Sequence, residues 1–118
     1  MRKILIVDDD RSILSIFEFI LNKKKISCLV SDTRKKAVEI YNSNKIDLIF
    51  IDAKLKNDSG IGLFKLIKKN NKEIPIIMMT GHKTDDLVEE MFEEGANLIL
   101  YKPFDVDEIL NLINLSEN

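Results

Sequence analysis

Four short apolar runs in this 118-residue chain end on side chains able to do chemistry. Ile4 to Val7 is followed by Asp8, Asp9 and Asp10, Leu48 to Ile51 by Asp52, Ile76 to Met79 by Thr80, and Leu98 to Tyr101 by Lys102 and Pro103. Carboxylates gathered at one place repel one another unless protons or a cation offset the charge. An oxygen-only donor set suits Mg²⁺, which commonly takes one or two carboxylates and leaves positions for phosphate oxygens. Together these residues describe a phosphoryl site. Asp52 would be the nucleophile, Mg²⁺ would screen the incoming charge, Lys102 would hold a phosphoryl oxygen and the Thr80 hydroxyl would donate to another. Each residue alone has a plainer explanation. An Asp after a strand is often a helix N-cap, as expected for Asp10, and a Thr or Lys at a strand end is usually solvated. The conjunction of Asp8, Asp9, Asp52, Thr80 and Lys102 is what favours chemistry.

These groups meet only if the fold brings the ends of the runs together. The four runs, with a fifth from Ile26 to Val30, are rich in Ile, Leu and Val, as buried parallel strands are. Between them apolar residues recur at helical spacing: Ile13, Phe17, Ile20 and Leu21, then Ala37, Ile40 and Tyr41, then Leu63, Leu66 and Ile67. Leu87, Val88, Met91 and Phe92 form a fourth stripe, and Val106, Ile109, Leu110 and Ile113 a fifth. Alternation of strand and helix with short connections predicts an α/β fold, a doubly wound five-stranded parallel sheet with helices on both faces. In such sheets ligands collect outside the carboxyl ends of the strands, so the chemical residues are expected on one rim. Thr84 before Asp85 and Asp86 reads as a capped helix start, and Gly95 as a helix stop.

The bulk composition narrows the function. The net charge is −2 from 18 basic and 20 acidic residues, which gives no strong field toward nucleic acid or an anionic membrane. Cys28, the only cysteine, lies in an apolar run without a disulfide partner, so a reducing compartment and a small buried hydrophobe are expected. No signal-peptide core is visible and no apolar stretch approaches the ~20 residues of a bilayer span, so the expected location is the cytoplasm. Residues 1–118 read as one domain, with no linker, repeat or output domain. No glycine-rich phosphate loop follows the first run, so nucleotide or flavodoxin-type cofactor binding is not expected.

Several segments resemble the receiver family of two-component signalling, across essentially the whole chain. They are Ile4-Leu-Ile-Val-Asp-Asp-Asp10, Asp47-Leu-Ile-Phe-Ile-Asp52 with Gly60 eight residues on, Met78-Met-Thr-Gly-His82, Gly95-Ala96 and Lys102-Pro-Phe104. The resemblance implies a flavodoxin-like three-layer sandwich with strand order 2-1-3-4-5. It implies that Asp8, Asp9, Asp52 and the backbone carbonyl of Lys54 hold Mg²⁺. It also implies that Asp52 accepts a phosphoryl group from a phosphohistidine on a sensor histidine kinase or histidine phosphotransfer protein. Thr80 would move toward the product, Lys102 would pair with it, and the Lys102-Pro103 peptide would be cis. Phosphorylation would then switch contacts with a downstream protein target or separate output domain, with no other enzymatic activity, no direct nucleic-acid contact and no membrane.

Three positions depart from the family pattern. Lys56 stands where the family often has proline, which predicts a less stiff loop before Gly60. Ile99 stands where a Tyr or Phe usually switches position, and Tyr101, expected on the same strand face, would substitute only in part. Lys54 brings a second cation that would lean over the phosphoryl group and slow its hydrolysis. A side chain at Gly81 would crowd the approach of a partner histidine, whereas His82 is expected to decorate the rim. Ile16 and Phe19, outside the best stripe of the first helix, suggest a docking face, while the fourth helix presents Asp86, Glu89, Glu90, Glu93 and Glu94 outward. Two rival functions remain. One is a haloacid-dehalogenase-like phosphatase with Asp8 as nucleophile and Asp10 as acid/base, and the other is a receiver-like scaffold that never carries phosphate.

Overall fold

In the computed structural model, which describes residues 2–81 and 85–117, the main sheet is built from β1 (Lys3–Val7), β2 (Ser27–Ser31), β3 (Leu48–Asp52), β6 (Ile76–Thr80) and β7 (Ile99–Tyr101). The strands are all parallel, in the order β2-β1-β3-β6-β7, which is the expected 2-1-3-4-5 once the main-sheet strands are counted alone. The helices are α1 (Arg11–Lys23), α2 (Arg34–Ser43), α3 (Gly60–Asn70), α4 (Asp85–Glu93) and α5 (Val106–Leu115).

Strand periodicity divides the core in two. Ile4, Ile6, Leu48, Phe50, Ile77, Met79 and Leu100 face α1 and α5, where they meet Leu14, Phe17, Ile20, Leu21, Ile109 and Ile113. Leu5, Val7, Ile49, Ile51, Ile76 and Met78 face α2, α3 and α4, where Ala37, Leu63, Phe64, Ile67 and Met91 cover them. The central strand β3 is buried along its whole length, which explains its unbroken apolar run. Each large side chain buried there contributes about 1.5–3 kcal/mol relative to exposure. Three residues of the helical stripes fall outside this core: Leu66, Phe92 and Val106 are exposed. A stripe defined by spacing alone is wider than the strip of helix that touches a sheet.

Helix starts follow local chemistry. Asp10, Thr33, Ser59 and Asp105 sit in extended backbone and accept hydrogen bonds from Ser12, Lys36, Gly62 and Glu108 N–H respectively, satisfying donors that the helix leaves unpaired. Asp105 and Glu108 complete a reciprocal capping box. Gly95, at φ +101°, closes α4 by donating to the Phe92 carbonyl, as a helix stop requires. The Thr84 cap and His82 lie outside the described residues.

One element is absent from the sequence reading. Lys54–Leu55 (β4) and Asp58–Ser59 (β5) form a small antiparallel ribbon between β3 and α3. Its turn is Lys56-Asn57, with Asn57 at φ +61°, a conformation Asn tolerates better than most residues. The segment after Asp52 is therefore an ordered hairpin rather than an open loop.

Candidate functional site

The sheet order reverses between β1 and β3, because the chain runs outward from β1 to β2 and then returns to β1's other side. A crevice opens at such a point above the carboxyl ends of the strands. Asp8 directly follows β1 and Asp52 ends β3, so the two carboxylates flank it. Thr80 ends β6, and Lys102 follows β7.

Asp8 is fully buried. It accepts from the Asp10 N–H at 2.9 Å and from Lys102 Nζ at 2.8 Å. The same ammonium reaches Asp52 Oδ2 at 3.3 Å, so Lys102 bridges the two acids. Asp52 is 7% exposed. Burial and the neighbouring Asp8 charge push its carboxyl up to about 6, against the opposing pull of Lys102 and the Lys54 N–H. Burial also opposes the charge on Lys102, but the hydrogen bonds and charges of Asp8 and Asp52 outweigh it and raise the ammonium above its ordinary value. Asp52 therefore stands short of compensating positive charge.

Asp9 is exposed, and its carboxylate accepts from the Lys56 N–H at 2.7 Å. One oxygen each from Asp8, Asp9 and Asp52 lies within 4.8 Å of the others. Hard oxygen donors at this spacing, with one member under-neutralised, fit a divalent cation of the Mg²⁺ type.

The surrounding residues hold these groups in place. The Lys102-Pro103 peptide is cis. Lys102 N–H donates to the Thr80 carbonyl at 2.8 Å, and the Phe104 ring sits edge-on to Phe17, 5.8 Å between centroids, tying the segment after β7 into the core. Thr80 is buried beside this connection. Ile99 is half-buried against the α2–α4 side of the core, and Tyr101, two residues on, takes the same strand face and is also half-buried. Lys54 and Lys56 are exposed. Gly81 is exposed too, and among the described residues a Cβ there would meet the Lys102 Cβ at an ordinary contact distance of 3.9 Å.

Gly60 carries a constraint that its place in the motif did not reveal. A Cβ on it would fall 1.7 Å from the Asp52 carbonyl oxygen, because α3 starts hard against the backbone of β3. Its N–H donates to the Ala53 carbonyl at 3.0 Å and closes the ribbon. Arg34 was also missed. It pairs with Asp58 at 3.4 Å, linking the start of α2 to the ribbon, and nothing in its spacing signals that contact.

The phosphatase alternative loses a residue in this geometry. Asp10 is exposed and gives its carboxylate to the Ser12 N–H, where it caps α1 instead of facing Asp8.

A doubly wound sheet with buried aspartates, a Thr and a Lys on its carboxyl rim defines a phosphoacceptor class of α/β domain. Comparison with known proteins names the class: the response regulator receiver domain profile matches residues 4–114, and the chain belongs to that family. It is 32% identical over 108 residues to the DNA-binding transcriptional regulator NtrC of Proteus hauseri, covering 92% of this chain but 23% of that protein. The chain thus spans about a quarter of the length of that relative. Sporulation initiation phosphotransferase F of Bacillus subtilis is 32% identical over 111 residues, covering 94% of this chain and 90% of its own. Among solved structures, a two-component response regulator from Clostridium difficile superposes with a TM-score of 0.92 at 27% identity, covering 99% of this chain and 96% of its own. A CheY-like receiver domain from Methanospirillum hungatei gives 0.91 at 25% identity, with coverages of 98% and 92%.

Proposed function

We propose that Asp52 is the phosphoacceptor of this receiver domain, taking its phosphoryl group from a phosphohistidine on a sensor histidine kinase or histidine phosphotransfer protein. The observation that carries the reading is the bridge of Lys102 between the buried carboxylates Asp8 and Asp52. An Asp52 oxygen attacks phosphorus as the phosphorus–nitrogen bond to the histidine breaks. The imidazole leaves with the electron pair and takes a proton, and Asp52 becomes an acyl phosphate. Lys102 already donates to Asp52 Oδ2, so its ammonium can follow the charge onto a phosphoryl oxygen without a long movement. The Thr80 hydroxyl donates to a second oxygen. Mg²⁺, held by Asp8, Asp9, Asp52 and the Lys54 carbonyl, supplies charge neutralisation when bound.

In this reading the domain catalyses only its own phosphorylation and dephosphorylation, and it switches contacts with a protein target or output domain in the cytoplasm. No described helix is long and apolar enough to cross a membrane. Phosphorylation acts by favouring one of two arrangements of the β6–β7 side, with Ile99 and Tyr101 dividing the role usually given to one aromatic ring. Ile16 and Phe19 are exposed, 43% and 63% respectively, on α1, the helix that starts at the acidic cluster, and offer apolar surface to a histidine-bearing partner. Glu94 pairs with Lys65 at 3.4 Å, and the exposed Asp86, Glu89, Glu90 and Glu93 of α4 offer an acidic face to a basic protein partner.

Beryllofluoride, which mimics a phosphoryl group on a carboxylate, tests the assignment. With Mg²⁺ present, amide resonances of Thr80, Gly81 and Lys102 should shift in the native chain and stay unmoved in Asp52→Asn. Equal shifts in that variant would place the nucleophile elsewhere, and the absence of any shift in the native chain would favour the silent scaffold.

A further inference from the structure

We infer that the main-chain N–H of Lys56 is a positioning group for Asp9, holding the one surface carboxylate of the metal cluster in place before a cation arrives. The inference rests on the reading of Asp8, Asp9 and Asp52 as metal ligands. Of the three, Asp8 and Asp52 are buried and fixed by Lys102, whereas Asp9 is exposed. Two neighbouring carboxylates repel it, and water lies on its open side, so an untethered Asp9 would turn outward. The tether observed is the 2.7 Å hydrogen bond from Lys56 N–H, its partner among the described residues.

The donor lies in a hydrogen-bonded turn. Lys56 sits in the two-residue turn of the β4–β5 ribbon, where Leu55 pairs with Asp58 and Lys54 with Ser59. That ribbon is fastened at its base by Gly60 N–H to the Ala53 carbonyl and at its side by Arg34 to Asp58. A backbone amide in a closed turn holds one carboxylate oxygen and leaves the lone pairs of the other for a cation. A proline at position 56, the residue that the family resemblance leads one to expect, has no N–H and could not make this bond. The departure at Lys56 is then a gain of function in its backbone, independent of its ammonium group. Hydrogen-bond partners of metal ligands typically change affinity by about 10–100-fold when lost.

The test compares Lys56→Pro with Lys56→Ala, which keeps the N–H, in a Mg²⁺ titration of the whole chain followed by amide NMR shifts. The expected result is Mg²⁺ binding about tenfold weaker in the proline variant and within about twofold of native in the alanine variant. Native-like affinity in the proline variant, or an equal loss in both, would overturn the inference. A second measurement covers a proline variant that fails to fold: metal-free hydrogen exchange at the Lys56 amide in the native chain and in Asp9→Ala. Exchange about tenfold faster in Asp9→Ala is expected, since the amide loses its acceptor. Unchanged exchange would overturn the inference. If the native chain itself bound no Mg²⁺, the metal reading would fail while the exchange measurement still decided whether Lys56 tethers Asp9.

Discussion

The α-carbon of Gly60 lies so close to Asp52 that a Cβ on it would stand 1.7 Å from the Asp52 carbonyl oxygen. The obstructing atom is backbone of a fully buried strand and has nowhere to move. Gly60→Ala must therefore push α3 away from β3 and disturb the ribbon that Gly60 closes. We expect a stability loss on the order of 3 kcal/mol, read as a fall in Tm of about 10 °C, with weakened acceptance of phosphate at Asp52. An unchanged Tm would mean that α3 can retreat freely.

The pH dependence of the metal-free chain has a definite sign. The Asp52 carboxyl is raised from 3.8 to about 6, so between those values the folded chain keeps a proton that the unfolded chain has released. Stability falls as pH rises through that window and levels off above it, the reverse of a salt-bridged Asp. Asp52→Asn should remove most of this slope and be more stable than the parent at pH 7, by on the order of 2 kcal/mol. Lys102→Ala should act in the opposite direction, costing on the order of 3 kcal/mol by leaving Asp8 and Asp52 without their shared cation. Urea unfolding of the three proteins between pH 4 and 7.5 checks both signs.

Much of this arrangement is legible in the chain. The apolar runs mark the five main strands to within a residue or two, and the polar residues at their ends mark the rim. Asp10 reads as a cap and is one. The β4–β5 ribbon escapes notice because two-residue strands have no periodicity to detect. The closeness of Gly60 to Asp52 and the Arg34–Asp58 pair depend on how α2 and α3 sit on the sheet, which spacing does not encode. Leu66, Phe92 and Val106 match helical stripes yet remain exposed, since periodicity gives the direction of a face and not its width.

Cys28 should be a poor nucleophile. Burial, with a smaller contribution from Glu18, pushes its thiol up to about 12, so almost none is thiolate at neutral pH. Alkylation by iodoacetamide at pH 8 should run at least tenfold slower in the folded chain than in urea. Equal rates would show that β2 opens readily at that edge of the sheet.

Lys54 is exposed two residues after Asp52, and in the proposed reading its ammonium leans over a phosphoryl group carried there. Its removal should open the path of the attacking water. Decay of the Lys54→Ala phosphoprotein, followed by loss of radiolabel, is expected to be several-fold faster than native. An unchanged or slower decay would leave Lys54 as a solvated lysine.

The most direct measurement is intact and peptide mass spectrometry of the chain after treatment with acetyl phosphate, with and without Mg²⁺. The expected result is the added mass of one phosphoryl group, dependent on Mg²⁺, located at Asp52 and lost in Asp52→Asn. A phosphoryl group on Asp8, or one that persists in Asp52→Asn, would contradict the account.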